Sequence, residues 1–375
     1  MSSAPLNPLD VPPYQLQPLL ASVGDNSARL PGQQAHIRCA QALGAELYVG
    51  CSNGELLRFS IQLQEGSTAD SYTLLSRQAV VHERPIQEIV LLPSLLRALV
   101  LADHQVYIYT LPSLDQIPPT VIKPIRNVVT IAVDEQHLRR PPPADPLYPA
   151  DPVDFCVIKR SAISLYSLSK ERLFFQKEIP LPSGGFVARR TGKALCIADK
   201  EYYNVIDLEL ASMVPLLPLS QASDGQTIKP SITVISENEF LIVSWTGASS
   251  LGVFITGDGE PVRGTLEWPA HPETISLDYP YMTTLLPNET IEIHSVETQA
   301  IVQVVPAPAD GAQIPERKRL NSSANGFFVP SNQRSDKLRK TPVRLVRRRG
   351  TSEAGGSSGK ESGGEDLEEV PGMSV

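Results

Sequence analysis

The fold is decided by residues 251–305, LGVFITGDGEPVRGTLEWPAHPETISLDYPYMTTLLPNETIEIHSVETQAIVQVV. Short apolar runs alternate here with turn signals, and Asp258-Gly259 suits a tight turn with positive φ. Residues 290–296 alternate apolar and polar side chains, which is the period of a half-buried strand. Four strands within roughly 35 residues make one antiparallel unit. If the unit repeats along the chain, the fold is a β-propeller.

The same order of strands recurs along the chain. The spacing is about 40–50 residues, which is the range of propeller blades. A seventh unit, at residues 320–323, 326–329 and 343–346, holds only three strands, and residues 14–22 supply its missing outer strand. Such closure removes exposed sheet edges. We therefore predict an all-β chain that forms a seven-bladed β-propeller; a pair of β-sandwiches built from the same strands is the alternative.

Composition fits a globular chain with many turns. Hydrophobic residues make up 41% of the 375 positions, with 34 prolines and 24 glycines. The sequence holds no apolar run long enough to span a bilayer, and its first 20 residues lack the pattern of a secretory signal. The four cysteines are widely spaced, which predicts buried thiols in a reducing cytosol and neither disulfides nor a metal site. These are Cys39, Cys51, Cys156 and Cys196.

The net charge of −8 is unevenly distributed. Residues 1–316 carry 21 basic and 34 acidic side chains, so this part of the chain has a charge of −13. Residues 317–349 carry 11 basic side chains and one acidic side chain, and residues 350–375 carry one basic and six acidic ones. An acidic body argues against nucleic acid as a partner.

These patterns predict a domain organisation. Residues 1–13 are disordered, residues 14–346 form the propeller, and residues 347–375 are a low-complexity tail, basic and then acidic. A Pro-rich insertion at about 135–152 interrupts the third unit. The insertion and residues 350–375 have too few apolar side chains to offset the entropy cost of ordering, so we expect both to be disordered.

The basic stretch 334–349 is the candidate binding site. We predict that it contacts anionic membrane lipid or an acidic partner, since each basic side chain near an anionic surface adds roughly 1 kcal/mol. The alternative is a solvated blade edge followed by a linker, and residues 347–352 also resemble a basic-directed kinase site. The candidate contacts are Arg334, Lys337, Arg339, Lys340, Arg344, Arg347, Arg348 and Arg349.

No catalytic constellation is evident, so we expect a non-enzymatic chain without a cofactor. The six histidines are scattered, and His294 is predicted to face solvent from an alternating strand. Residues 257–259 form a turn rather than a phosphate loop, because no GxxxxGK[ST] pattern follows. Trp245 and Trp268 are interpreted as packing between blades, with exposed binding anchors as the alternative.

Residues 252–302 resemble the citron homology (CNH) domain almost continuously through two blades. Residues 47–56, with Asn53-Gly54 as the turn, resemble the first-blade hairpin of that family. Among CNH proteins the chain is most similar to endosomal and vacuolar tethering subunits, the group of vacuolar protein sorting-associated proteins 3 and 39 and the TGF-beta-receptor-associated protein. No Gly-His…Trp-Asp signature supports the WD40 type.

The resemblance implies a function. It implies a cytosolic protein, peripheral on endosome or vacuole membranes, that recognises a Rab-type small GTPase within a CORVET or HOPS tether. Members of this group continue into a helical solenoid, whereas a Gly/Ser/Glu-rich tail follows here, which puts assembly with other tether subunits in doubt. The alternative is a CNH scaffold in small-GTPase or kinase signalling. We expect tethering, because no kinase or exchange domain accompanies the propeller.

Overall fold

The computed structural model describes residues 12–20, 35, 37–62, 71–80, 83–145, 149–222, 227–307, 321–323, 326–330 and 335–340. The chain divides into two units, and one of them, Pro12–Thr341, contains all of these residues. The other unit, Met1–Val11 with Pro342–Val375, lies outside the described residues. The tails predicted to be disordered belong almost entirely to this second unit.

Six blades are each built from four consecutive strands, which pair antiparallel in sequence order. Strand β1, Tyr14–Leu20, precedes them and belongs to another sheet. Blade 1 contains β2 (Ile37–Leu43), β3 (Glu46–Cys51), β4 (Glu55–Gln62) and β5 (Ser71–Ala79). Blade 2 contains β6 (Ile86–Leu92), β7 (Arg97–Ala102), β8 (Gln105–Thr110) and β9 (Ile125–Arg126). Blade 3 contains β10 (Thr130–Val133), β11 (Val153–Ile158), β12 (Ala162–Leu168) and β13 (Leu173–Pro180).

The remaining three blades follow in the same order. Blade 4 contains β14 (Val187–Thr191), β15 (Ala194–Ala198), β16 (Tyr202–Asp207) and β17 (Ser212–Pro218). Blade 5 contains β18 (Ile232–Ser236), β19 (Glu239–Trp245), β20 (Ser250–Thr256) and β21 (Leu266–Trp268). Blade 6 contains β22 (Thr274–Asp278), β23 (Tyr281–Leu285), β24 (Ile291–Ser295) and β25 (Ile301–Val305).

A further sheet is assembled from both ends of the described chain, and we call it the closing sheet. Its strand order is β1, β28 (Ser335–Lys340), β27 (Gly326–Pro330) and β26 (Asn321–Ser323). Strand β26 lies beside the inner strands of blades 1 and 6. The all-β propeller class is therefore confirmed, and the predicted number of seven blades is corrected to six. The closing sheet had been counted as a seventh blade, although its strands come from both ends of the described chain.

The predicted outer strand of the closing sheet is confirmed, and the position of its third strand is corrected. Residues 14–22 were expected to complete the sheet that holds residues 320–323 and 326–329, and β1 lies at the edge of that sheet opposite β26. The third strand was predicted at residues 343–346, which lie outside the described residues, whereas β28 occupies that place between β27 and β1. Leu338 stands opposite both Leu16 and Phe327 in the ladder, so this register aligns one apolar position from each of three strands.

Blades 2 to 5 are each covered on both faces by their neighbours. Five separate apolar clusters join consecutive blades from blade 1 to blade 6. Strand β15, with the sequence ALCIA, is accordingly buried at every position. Trp268 is completely buried between blades 5 and 6, which confirms packing for this residue, and Trp245 is half-buried. All four cysteines are buried, as predicted.

The strongest turn signals of the sequence are confirmed. Gly54 has a φ of +81° between β3 and β4, and a Cβ there would lie 2.6 Å from the carbonyl carbon of Glu83. Asp103 and His104 both have positive φ between β7 and β8. Gly259, with a φ of +88°, ends the turn predicted at residues 257–259. Only residues that tolerate left-handed backbone suit these positions.

The insertion predicted to be disordered contains a helix. Helix α1, Glu135–Leu138, lies between β10 and β11. The backbone N–H of Asp154 donates to Nδ1 of His137 at 2.9 Å, and Arg140 donates to the carbonyl of Pro152 at 2.9 Å. Residues 146–148 lie outside the described residues. The expectation of disorder was wrong for the described part because side-chain hydrogen bonds hold the segment, and Leu138 packs against the apolar cluster of blades 2 and 3.

Candidate functional site: the central channel and its helical cover

The inner strands of the six blades surround a central cavity of about 1170 Å³. Strands β2, β6, β10, β14, β18 and β22 each contribute side chains to its wall. Helix α1 and the following Pro141-Pro142 line one mouth. The candidate site is therefore a channel through the propeller with a short helix at one end.

Helix α1 is fixed by its N-cap residue. The side chain of Asp134 accepts hydrogen bonds from the backbone N–H groups of Gln136 at 3.1 Å and Gly192 at 3.2 Å. Its other carboxylate oxygen lies 3.9 Å from Nε of Arg190, and both side chains are almost completely buried. One carboxylate thus caps the helix and ties it to blade 4.

Two further contacts hold the helix across the mouth. Gln136 donates from Nε2 to the Glu237 carboxylate at 2.8 Å, which reaches blade 5. Leu138 packs against the apolar cluster shared by blades 2 and 3, and α1 lies beside β6 of blade 2. The helix therefore touches blades on several sides of the channel.

The lining of the channel combines apolar side chains with charged side chains of both signs. Four acidic and four basic residues contribute to it, and several of them are paired. Arg139 lies 3.3 Å from Glu135, and Arg263 makes a forked contact with Glu239, which raises the pKa of Arg263. Such balanced charge with apolar walls suits contact with a polypeptide segment. Across the described ranges, no His, Cys, Asp or Glu side chains cluster to hold a metal ion.

The outer strands offer a second kind of surface. Strands β13, β17 and β25 expose large apolar side chains toward solvent, with exposed fractions between 42% and 58%. These residues are Phe174, Phe175, Met213, Val214, Ile301, Val302 and Val304. Exposed apolar surface of this kind typically marks protein contacts.

His294 is not solvent-facing, and the prediction for this residue was wrong. Its side chain is 2% exposed and meets Trp268 edge to face, with ring centroids 5.5 Å apart. The Glu292 carboxylate lies 3.9 Å away. Burial lowers the pKa of His294 to about 4 and raises the pKa of Glu292. The alternating pattern predicted solvent exposure, but blade 5 covers the face of β24 on which the polar side chains lie.

Another histidine makes a contact that looks catalytic. Oγ of Ser250 lies 3.0 Å from Nδ1 of His271, and Nε2 of that ring lies 2.8 Å from the backbone carbonyl of Lys229. Ser250 is completely buried, so no substrate reaches its hydroxyl. We interpret these contacts as structural, because His271 ties the segment after blade 5 to Ser250 of that blade and to the segment before it.

The structure places three of the eight predicted contact residues. Lys337, Arg339 and Lys340 lie on β28, opposite Gln17, Gln15 and Tyr14 of β1. Arg334, Arg344, Arg347, Arg348 and Arg349 lie outside the described residues. The first part of the basic stretch is thus a sheet strand, and lipid or acidic-partner contact stays a prediction.

Sequence reasoning missed the helical cover of the channel. The Pro-rich run that follows α1 dominated the prediction, although Asp134 directly before Glu135 is an N-cap signal. Within the described part of the chain, no helix has both the length and the apolar character to cross a bilayer.

Comparison with known proteins agrees with this architecture. Residues 31–307 match the family described as VPS3 N-terminal domain. Mouse transforming growth factor-beta receptor-associated protein 1 is 25% identical over 284 residues, covering 74% of this chain and 31% of the relative. Vacuolar protein sorting-associated protein 3 of Saccharomyces cerevisiae is 23% identical over 315 residues, covering 81% and 29%. The chain thus spans about a third of the length of these relatives.

Solved structures share the fold. The CNH domain of AfRom2 superposes with a TM-score of 0.53 at 19% identity, covering 81% of this chain and 94% of that domain. The WD40 domain of Neurospora crassa Pan2 gives a TM-score of 0.59 at 9% identity, covering 87% and 96%. At these identities the likeness concerns the propeller fold alone.

Proposed function

The chain belongs to the VPS3 N-terminal domain family, and we propose that it is the CNH-type propeller of an endosomal or vacuolar tethering subunit. In this role it acts as a non-enzymatic protein-interaction module in intracellular protein transport. It works at the cytoplasmic face of endosome or vacuole membranes without spanning them.

The observation that carries the proposal is the extent of the family match. The matched residues run from before blade 1 to the end of blade 6. The relatives are named for vacuolar protein sorting and for receptor association. The exposed apolar side chains on β13, β17 and β25 supply contact surface that such a module needs.

We further propose a Rab-type small GTPase as the partner and CORVET- or HOPS-type subunits as the assembly. A Rab orders its switch loops around the γ-phosphate, so a propeller that contacts those loops prefers the GTP-bound form. The channel mouth with α1 and the outer strands are two surfaces that suit a folded partner. The alternative, a CNH scaffold in signalling, is not favoured by the family match.

A pull-down of this chain against a panel of endosomal and vacuolar Rab proteins tests the proposal. Each Rab is loaded with a non-hydrolysable GTP analogue or with GDP, and we expect capture of at least one of them in the GTP form only. The variants Phe174→Ser and Val302→Ser show whether the outer strand of blade 3 or that of blade 6 contacts the Rab. Equal capture with both nucleotides, or no capture by any member of the panel, would contradict the Rab assignment.

A further inference from the structure

A second cavity, of about 520 Å³, lies between blades 2 and 3, and we call it the Arg97 pocket. Arg97, at the start of β7, is the only lining residue contributed by a strand. One wall is the loop between β8 and β9, and the other is the turn between β12 and β13. These connections lie at the same end of the blades as α1, because each joins a first to a second strand or a third to a fourth. The pocket thus opens on the same face as the helical cover.

Arg97 is a half-buried cation whose hydrogen bonds are incomplete. Its guanidinium donates to the backbone carbonyls of Leu96 at 3.0 Å and Lys170 at 2.6 Å. Its Nε–H is buried and has no acceptor, and within the described residues no carboxylate pairs with it. A guanidinium carries five donors in a fixed fork that matches a carboxylate. Burial without an anion lowers the pKa of Arg97.

The walls of the pocket combine apolar and basic surface. Ile122 is buried beneath Val121, which is 65% exposed, and Ile117 adds to this side. The opposite turn contributes Lys170 and Arg172. Glu171 is the one acidic residue among the lining side chains. An excess of positive charge stands out in a part of the chain whose charge is otherwise acidic.

We propose that the Arg97 pocket binds a short acidic segment of a partner protein, with a carboxylate on Arg97 and an aliphatic side chain against the loop of Val121. A carboxylate accepts from the terminal N–H groups of Arg97 that Leu96 and Lys170 leave unused, and the aliphatic group covers exposed apolar surface. At physiological ionic strength, salt screens charges that lie farther than roughly 8 Å from a bound peptide. The basic side chains of the pocket therefore act on the peptide more strongly than the distant acidic residues of the chain.

The position of the cation favours a peptide over a membrane surface. A bilayer is broad and flat, and it meets protruding cations first, whereas Arg97 is half-buried and lines a cavity between two blades. A peptide side chain enters such a recess and brings its own apolar neighbour. This inference does not depend on the identity of any Rab partner.

Fluorescence anisotropy with a labelled hexapeptide, Glu-Leu-Glu-Asp-Leu-Glu, tests the proposal. The comparison peptide replaces its acids with glutamines, and phosphatidylserine vesicles test the membrane alternative. Arg97→Met removes the charge and keeps the length of the side chain. Arg172→Glu reverses a charge on an exposed side chain, so the fold stays intact. The matched control, Arg126→Met, changes an exposed arginine of blade 2 outside the pocket.

We expect the chain to bind the acidic peptide, with affinity reduced about tenfold by Arg97→Met because a charge-assisted hydrogen bond is lost. Arg172→Glu weakens binding several-fold and more strongly at low salt, Arg126→Met leaves it unchanged, and the glutamine peptide binds at least about tenfold more weakly. Circular dichroism verifies the fold of Arg97→Met; if that variant unfolds, Arg172→Glu and the glutamine peptide decide. The proposal is overturned if both peptides bind equally well, or if neither Arg97→Met nor Arg172→Glu changes the affinity for the acidic peptide. It is also overturned if these two substitutions weaken only the binding of vesicles.

Discussion

At the scale of single residues, the blade 5–6 interface buries several polar groups that lack hydrogen bonds. Both ring nitrogens of His294, one oxygen of Glu292, the hydroxyl of Thr284 and the indole N–H of Trp268 belong to this set. Thr284 stands opposite Glu292 in the ladder, and Met282 opposite His294. Because buried polar groups normally find partners, this interface is sensitive to protonation.

The first prediction concerns the pH dependence of stability. The pKa of His294 is about 4 in the folded protein and near 6.5 when exposed, so the unfolded state binds more protons between these values. The free energy of unfolding therefore has its full value above pH 6.5 and falls as the pH drops toward 4. His294 alone accounts for a decrease of roughly 3 kcal/mol over this range. Urea denaturation from pH 7.5 to 4.5 measures the slope.

The comparison of variants isolates this histidine. His294→Gln removes the titrating group and should flatten the slope, whatever its effect on stability at neutral pH. His104→Asn, at an exposed turn with positive φ that asparagine tolerates, serves as the control. If His294→Gln keeps the slope of the unmodified chain, the buried histidine is not its origin.

At the scale of elements, α1 is a short helix that one carboxylate, that of Asp134, both caps and ties to blade 4. Asp134→Ala removes the N-cap acceptor, the bond from Gly192 and the partner of Arg190. Leaving a buried arginine unpaired is costly, so we expect a loss of about 3 kcal/mol in the free energy of unfolding. Chemical denaturation measures it.

The control for this prediction is the exposed pair on the same helix. Glu135→Ala breaks an i,i+4 contact with Arg139, whose side chain is 61% exposed, and should cost no more than about 0.5 kcal/mol. Equal effects of the two substitutions would show that the buried network does not fix the helix.

The basic stretch supplies the third prediction. Reversing Arg347, Arg348 and Arg349 to Glu should weaken flotation of the chain with phosphatidylserine liposomes, most visibly at low salt, because each basic residue contributes roughly 1 kcal/mol near an anionic surface. The triple variant should keep the strand signal in circular dichroism, since these residues follow β28. Unchanged flotation would support a solvated linker instead.

Elements differ in how far the sequence predicts them. The hairpins at Asn53-Gly54 and at residues 257–259 were predictable because turn chemistry is local. Strand β28 was not, because its Lys- and Arg-rich sequence has no strand propensity of its own and depends on pairing with β1 and β27. The burial of His294 and the Arg97 pocket depend on which blades become neighbours, which no local pattern encodes.

At the scale of the whole molecule, one tyrosine links the first strand to the last blade. The hydroxyl of Tyr14 donates to the Asp278 carboxylate at 2.6 Å, and its ring meets that of Tyr281 edge to face. The side-chain amide of Gln303 accepts from the backbone N–H of Tyr14 at 2.9 Å and donates to its carbonyl at 2.7 Å. These bonds fasten the closing sheet to blade 6.

The fourth prediction tests this link. Tyr14→Phe keeps the ring and loses a buried hydrogen bond to a carboxylate, so the free energy of unfolding should fall by about 1.5–3 kcal/mol. Tyr202→Phe, at the start of β16 where the residue is 44% exposed, should change it by less than about 0.5 kcal/mol. Thermal and urea unfolding of both variants measure the difference. If Tyr14→Phe unfolds at the same temperature and urea concentration as the unmodified chain, the hydroxyl of Tyr14 does not stabilise the contact between the closing sheet and blade 6.

The Gln303 amide and the Tyr14 backbone are separated by 289 positions in sequence. During synthesis, the N-terminal strand leaves the ribosome long before its pairing partner exists, so it waits with unpaired backbone groups while blades 1 to 6 form. Contacts of such high sequence separation form late and slowly, and the unpaired backbone of an open strand edge can pair with other chains and aggregate. The nascent chain is thus most vulnerable to aggregation, and most dependent on chaperones, until the strand Ser335–Lys340 has emerged.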